Sequence, residues 1–274
     1  MRRTNIEWAD AVWNPITGCT PVSEGCQNCY AKRMAYRLRG RCGYPQDEPF
    51  MVTLHEDRLL EPYRWRKPLR VFVCSMSDLF HPDVPDEFIF RVLLTVKQNP
   101  QHIFMILTKR PERMQDFFKR CIHGTIKNLW LGVTVENQKM ANKRIPILLQ
   151  IPATVRFVSC EPLLDPVDLS KWLGICEGCG MPATKCGPVL WRKGQKCCPE
   201  CTHDFYLNWS LNWVIVGGET GPKRRPANIQ WIRSLRDQCV AAGVPFFLKQ
   251  MEISGRIVKM PELDGKIWNE YPSA

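Results

Sequence analysis

The sequence predicts an α/β fold built on a parallel sheet, and two observations carry that reading. Short apolar, β-rich runs recur along the chain, and stretches of helical periodicity separate them. The runs are 71–74, 103–107, 129–133, 155–159, 213–216 and 245–248, with a weaker one at 11–14. They are apolar on both faces, as the buried strands of a parallel sheet are. A third observation marks an interruption: residues 165–211 hold six cysteines and no strand–helix pair.

In chain order, the 11–14 run leads into a Gly- and Pro-rich loop with three cysteines, and a helix follows it. Pro85-Asp86-Glu87 starts a helix that carries apolar residues through Val96, and Asn99-Pro100 stops it. Pro111-Glu112-Arg113 starts the next, ending near Cys121. Residues 135–150 and 228–242 read the same way, the latter closed by Gly243. Six or seven strand–helix repeats are too few to require a closed eight-fold barrel. They suit a partial (β/α) barrel or an open doubly wound sheet. Residues 1–164 and 212–274 are expected to form this body, with 165–211 inserted as a small metal-stapled fold.

Composition bounds the function. Of 274 residues, 45% are hydrophobic and 24% charged, which excludes a disordered chain. No run of 18 apolar residues is present to span a membrane. Residues 1–8 are basic but lack an apolar signal core, so a cytoplasmic location is expected. The net charge of +11 favours a polyanionic partner, nucleic acid above all, although a basic soluble enzyme fits it too. Fourteen cysteines without a secretory signal read as metal or cofactor ligands rather than disulfides.

Cys19, Cys26 and Cys29 form the first cysteine group. Three thiolates cannot complete a tetrahedral zinc site, but they can hold a 4Fe-4S cluster with one iron left open. A zinc site completed by His or another cysteine is the other reading. In α/β folds function collects beyond the carboxyl ends of the strands. That rule selects Ser75, Ser77 and Asp78; Thr108, Lys109 and Arg110; Thr134, Glu136 and Asn137; Ser159, Cys160 and Glu161; the run from Gly217 to Thr220; and Lys249-Gln250. Plainer roles compete: Asp78 could cap a helix, Glu161 could brace a turn, and Arg110 could be a solvated helix start.

A three-cysteine loop after the first strand of a partial barrel resembles the radical S-adenosylmethionine (SAM) superfamily. More closely, Asn14-Pro15-x-Thr17-Gly18-Cys19, Cys26-x-x-Cys29-Tyr30-Ala31, Ser75-Met76-Ser77-Asp78-Leu79-Phe80, Leu107-Thr108-Lys109-Arg110-Pro111, Ser159-Cys160-Glu161-Pro162 and Gly217-Gly218-Glu219-Thr220 resemble a family common in phages and prophages, the phage three-Cys-motif family. The resemblance implies a (β/α)6-type partial TIM barrel. Cys19, Cys26 and Cys29 would ligate three irons of a 4Fe-4S cluster whose fourth iron binds SAM. One electron would then cleave SAM to a 5′-deoxyadenosyl radical that abstracts hydrogen from a substrate. The candidate cofactor-binding residues are these cysteines with Tyr30, Ser75, Ser77, Asp78, Lys109, Glu136, Glu161 and Glu219. Two departures stand out. The cysteine spacing is six and then two residues, against the superfamily's three and two, and Asn28 occupies the usual aromatic position.

The second group pairs Cys176-x-x-Cys179 with Cys198-x-x-Cys201, with 18 residues between the inner cysteines. That spacing predicts a zinc ribbon, and an auxiliary iron–sulfur cluster or a Cys₃His variant are its alternatives. Trp191, Arg192, Lys193, Lys196 and Trp209 could grip a nucleic acid there or merely form a flap over the barrel mouth. Basic residues are dense at Lys32, Arg33, Arg37, Arg39 and Arg41, and again at Lys223-Arg224-Arg225. The expected function is a radical-SAM-like enzyme acting on nucleic acid or a nucleotide, served by an electron donor. Two other classes remain: a nucleic-acid-binding protein with only structural zinc, and a cluster-carrying partner subunit.

Overall fold

The computed structural model describes residues 4–174, 190–192, 195–197 and 210–273. In chain order its elements are β1 (Ala11–Trp13), β2 (Ile16–Thr17), α1 (Tyr30–Arg37), β3 (Thr53–Leu54), β4 (Arg70–Val73), α2 (Asp86–Gln98), β5 (Ile103–Thr108), α3 (Pro111–Cys121), β6 (Leu129–Thr134), α4 (Gln138–Leu149) and β7 (Val155–Cys160). Then follow β8 (Leu190–Arg192), β9 (Gln195–Cys197), β10 (Trp213–Gly217), α5 (Ile229–Ala242), β11 (Phe246–Ile253), β12 (Arg256–Lys259), β13 (Glu262–Leu263) and β14 (Lys266–Ile267). Every expected apolar run is a strand. The expected helices also form, with α4 starting later than 135 because Asn137 caps it by accepting from Met140 N at 3.0 Å.

The main sheet has the order β1-β4-β5-β6-β7-β10-β11-β12 among the described residues. All neighbours pair in parallel except β12, which runs antiparallel to β11. Strand order follows chain order without reversal. Right-handed crossovers then place each connecting helix on the same face. A doubly wound sheet reverses its order at a switch point, so that alternative is excluded.

Side-chain alternation divides the two faces. Val71, Val73, Phe104, Ile106, Leu131, Val158, Val214 and Leu248 pack with buried residues of α2 to α5 in one large cluster. Phe72, Met105, Trp130, Phe157, Trp213 and Phe247 point the other way and pack around Trp8. Trp8 meets Phe72 at a ring separation of 4.5 Å and Trp213 at 6.2 Å. The sheet therefore curls as a half-barrel, helices outside, with the N-terminal segment packed into its concave face.

Between β7 and β10 the crossover lacks an α-helix among the described residues. Leu211 N donates to Trp172 O at 2.7 Å, so the chain returns beside the point where it left. Within this stretch β8 and β9 pair antiparallel. Cys176, Cys179, Cys198 and Cys201 lie outside the described residues. No helix among the described residues is long and apolar enough to cross a membrane.

Candidate functional site

The three-cysteine loop hangs from backbone contacts that fix its start. Gly18 N donates to Met76 O at 3.1 Å and Cys19 N to Phe50 O at 3.1 Å. Gly18 has φ +84°, and a Cβ there would stand 2.0 Å from Met51 O, so only glycine fits. Ser77 Oγ donates to the Gly18 carbonyl at 2.6 Å. Cys26 ends a 3₁₀ turn (Glu24–Cys26) and Cys29 is the N-cap of α1. Cys29 therefore sits at the partial positive end of that helix, with no side-chain hydrogen bond to it.

Asp78 organises the wall beside Cys19. It accepts from Thr108 Oγ1 at 2.7 Å, Lys109 N at 3.1 Å, Phe80 N at 3.0 Å and Arg110 Nη1 at 3.0 Å. Arg110 also donates to Thr20 O at 2.9 Å and reaches Cys19 Sγ at 3.5 Å. Burial and the Asp78 carboxylate raise the Cys19 thiol pKa, against the pull of Arg110. Arg110 is buried rather than a solvated helix start. Asp78 faces the cavity, but its oxygens serve protein donors, which makes it a positioning residue for Arg110.

Glu136 stands behind the loop. Its side chain is fully buried, pairs with Arg144 Nη1 at 2.7 Å and accepts from Ser23 Oγ. Gly25 lies so close above it that a Cβ would come within 2.4 Å of Glu136 Cγ. The Lys109 ammonium is 3.9 Å from Glu136 Oε1, while its side chain remains on the cavity wall. Across the rim, Glu161 meets Lys249 Nζ at 2.9 Å and Ser159 Oγ at 3.0 Å. Tyr30 OH donates to the Ser75 carbonyl, and Ser75 Oγ to Asn14 Oδ1 at 3.1 Å.

Glu219 stitches the far side of the loop to the end of β10. It takes Arg225 Nη2 at 2.6 Å and Asn28 Nδ2 at 2.9 Å, and Arg225 in turn donates to Glu24 O at 3.0 Å. Burial pushes the Glu219 carboxyl up, but hydrogen bonds from Arg225 and Asn28 outweigh it and hold the group below the usual carboxylate range. The departure at Asn28 thus has a structural role. Arg33 adds a bond to Thr220 O at 2.9 Å.

These residues enclose one cavity of about 440 Å³ at the carboxyl ends of the parallel strands. Cys19, Cys26, Cys29, Tyr30, Ser75, Ser77, Asp78, Lys109, Glu161 and Glu219 line it, whereas Glu136 does not. The three loop cysteines are free and partly exposed, so their sulfurs are available to a metal group. Among the described residues no three His, Cys, Asp or Glu side chains stand close enough to share a single metal ion. Three thiolates are by their chemistry a donor set that a cluster could use, each on its own iron.

Sequence reasoning missed Glu7, Trp8, Ser23 and Arg144. Glu7 and Trp8 line the cavity from the N-terminal segment, which carries no strand or helix periodicity to mark it. The chain belongs to a family described as "Protein of unknown function (DUF5131)", whose model matches residues 3–272. No curated protein matches it. No solved structure matches it either.

Proposed function

We propose that this member of the DUF5131 family is a radical-SAM enzyme on a partial (β/α)6-type TIM barrel, with Cys19, Cys26 and Cys29 holding a 4Fe-4S cluster that binds SAM. The observation that supports this best is the presence of three free thiols on the wall of one cavity at the carboxyl ends of the strands. When bound, the cluster supplies the electron that cleaves SAM and so starts hydrogen abstraction from a substrate.

The chain's own residues bind and orient. Lys109 supplies a cation for the SAM carboxylate, since its ammonium is held only at 3.9 Å by Glu136. Glu161, fixed by Lys249 and Ser159, offers acceptors to hydroxyl or ammonium groups. Arg110, locked by Asp78, and Arg225, locked by Glu219, keep the cysteine loop in place. In the same reading Cys176, Cys179, Cys198 and Cys201 bind zinc, and a separate protein donates the electron. The substrate is nucleic acid or a nucleotide. The +11 charge supports that class, as do the exposed Lys32, Arg37, Arg39 and Arg41 on and just after α1.

The test is SAM turnover by the reduced, reconstituted chain, read as methionine plus an adenosyl product. The reading expects turnover that disappears when Cys19, Cys26 and Cys29 are all replaced by Ala. Turnover that survives that replacement, or none from a chain with a full iron complement, would overturn it.

A further inference from the structure

Helix α1 starts on the cavity wall, where Cys29, Tyr30 and Ala31 line it, and its later residues leave the wall. Between Tyr30 and Arg41 the sequence has five basic residues and no acidic one. Lys32, Tyr36, Arg37 and Arg39 are exposed. The segment after β10 lies beside this helix: Arg33 donates to Thr220 O at 2.9 Å, and Asn28 Nδ2 donates to Lys223 O at 2.8 Å. Thr220 and Asn28 also line the cavity. In that segment Arg224 and Arg225 are paired with Glu252 and Glu219. Among the described residues no carboxylate pairs with Lys32, Arg37, Arg39 or Lys223.

Spacings of four and then three residues set Lys32, Tyr36 and Arg39 on one stripe. The Arg39 guanidinium lies 5.4 Å from the centroid of the Tyr36 ring, and Tyr36 is 49% exposed. Cations near the end of α1 suit the helix dipole, but Lys32 is in the first turn, where a cation does not. Helix stability therefore leaves both Lys32 and the open Tyr36 ring unexplained. An exposed ring among unpaired cations suits an unpaired nucleotide strand: the ring stacks on a base, and the cations meet its phosphates. The cavity of about 440 Å³ is of small-molecule size. A polynucleotide enters such a space with one unstacked residue and leaves the rest of the strand outside.

We propose that the outer face of α1, with Lys223, is a binding track for single-stranded nucleic acid, in which a base stacks on Tyr36 and the flanking phosphates meet Lys32, Arg39 and Lys223. The inference rests on the nucleic acid or nucleotide substrate class given above, and narrows it to a strand of several nucleotides that is unpaired at the site. A duplex keeps its bases stacked on one another and offers Tyr36 no free base face. Because α1 begins at the cavity wall, a strand held on this face is placed to deliver one nucleotide into the cavity.

The experiment is fluorescence anisotropy of labelled single strands of about ten nucleotides, and of the matching duplex, with the full chain at several salt concentrations. The single strand should bind more tightly than the duplex. Tyr36→Ala should weaken strand binding at least about fivefold through loss of one stacked base, while Tyr36→Phe, which keeps the ring, should stay within about twofold. Lys32→Gln/Arg39→Gln should flatten the slope of log affinity against log salt by about 1.4, at ~0.7 per phosphate contact. These side chains are exposed, so the variants should fold, and the unfolding midpoint checks it. A duplex bound as tightly as the single strand, or a folded Tyr36→Ala with unchanged affinity, would overturn the track. So would strand binding that Lys32→Gln/Arg39→Gln leaves unaltered; if that variant instead slows reduction by an acidic electron-transfer protein, the face belongs to the electron donor. Binding is read without iron or turnover. Strand binding that these variants weaken, in a chain that holds no iron, would retain the track and lose the enzyme reading. A chain that cleaves SAM but binds no strand would do the reverse.

Discussion

Replacing Arg110 by Met removes the positive half of the buried pair beside Cys19. The two side chains are 10% and 7% exposed, so solvent screens the pair little. Without Arg110, Asp78 keeps its bonds from Thr108, Lys109 and Phe80 but loses its counter-charge. Stranding a buried charge costs about 3–5 kcal/mol, and the three surviving bonds place the expected loss near ~3 kcal/mol. Thr20 also loses its clamp, which lets the start of the cysteine loop move. Urea unfolding of the metal-free chain, followed by tryptophan fluorescence, measures the loss. The double variant Asp78→Asn/Arg110→Met leaves no charge behind. It should therefore cost less than the sum of the two single variants, by about 1–3 kcal/mol. An Arg110→Met cost below about 1 kcal/mol, or strict additivity, would refute the claim that this pair holds the loop.

Other perturbations act on separate supports. Gly18→Ala must abandon φ +84° or displace Met51, and should cost at least ~2 kcal/mol by thermal or urea unfolding and lower the iron retained on reconstitution. Glu219→Gln weakens the bonds to Arg225 and Asn28, with an expected cost of about 1.5–3 kcal/mol and faster loss of iron in air than from the unaltered chain. His55, bonded to Thr17 Oγ1 at 2.8 Å, has its pKa lowered to about 4 by burial and by Arg58. The unfolded chain takes up that proton near pH 6.5, so stability is full above pH 6.5 and falls as the pH drops toward 4. His55→Gln should flatten the unfolding midpoint over that interval, and an unchanged slope would exclude His55 as its source.

The strands and helices were readable because each carries its own local signal. The β10 strand is apolar throughout and β6 is so as far as Val133, Pro111 opens α3, and Asn228 caps α5 by accepting from Gln230 N. Where local pattern is weak, the sequence was silent. The antiparallel edge strand β12 (Arg256–Lys259) is largely exposed, and β2 and β3 are too short for a period to show. The rim residues were found by their position after strands, but their partners were not. Asn28 meets Glu219 across 191 positions, a pairing no spacing rule contains. Glu136 shows the limit of the strand-end rule: it follows β6 as expected, yet Arg144 and Ser23 hold it behind the loop. Glu7 and Trp8 gave no signal, because they lie in an N-terminal segment with no strand or helix periodicity to mark them.

The proposed function stands on Cys19, Cys26 and Cys29 carrying a SAM-binding cluster. Anaerobic reconstitution followed by iron analysis and EPR, with and without SAM, tests it most directly. A SAM-binding cluster at these cysteines should give about four irons per chain and a reduced-cluster signal that changes when SAM is added. A folded chain that takes up zinc but no iron, or a cluster whose signal ignores SAM, would contradict it.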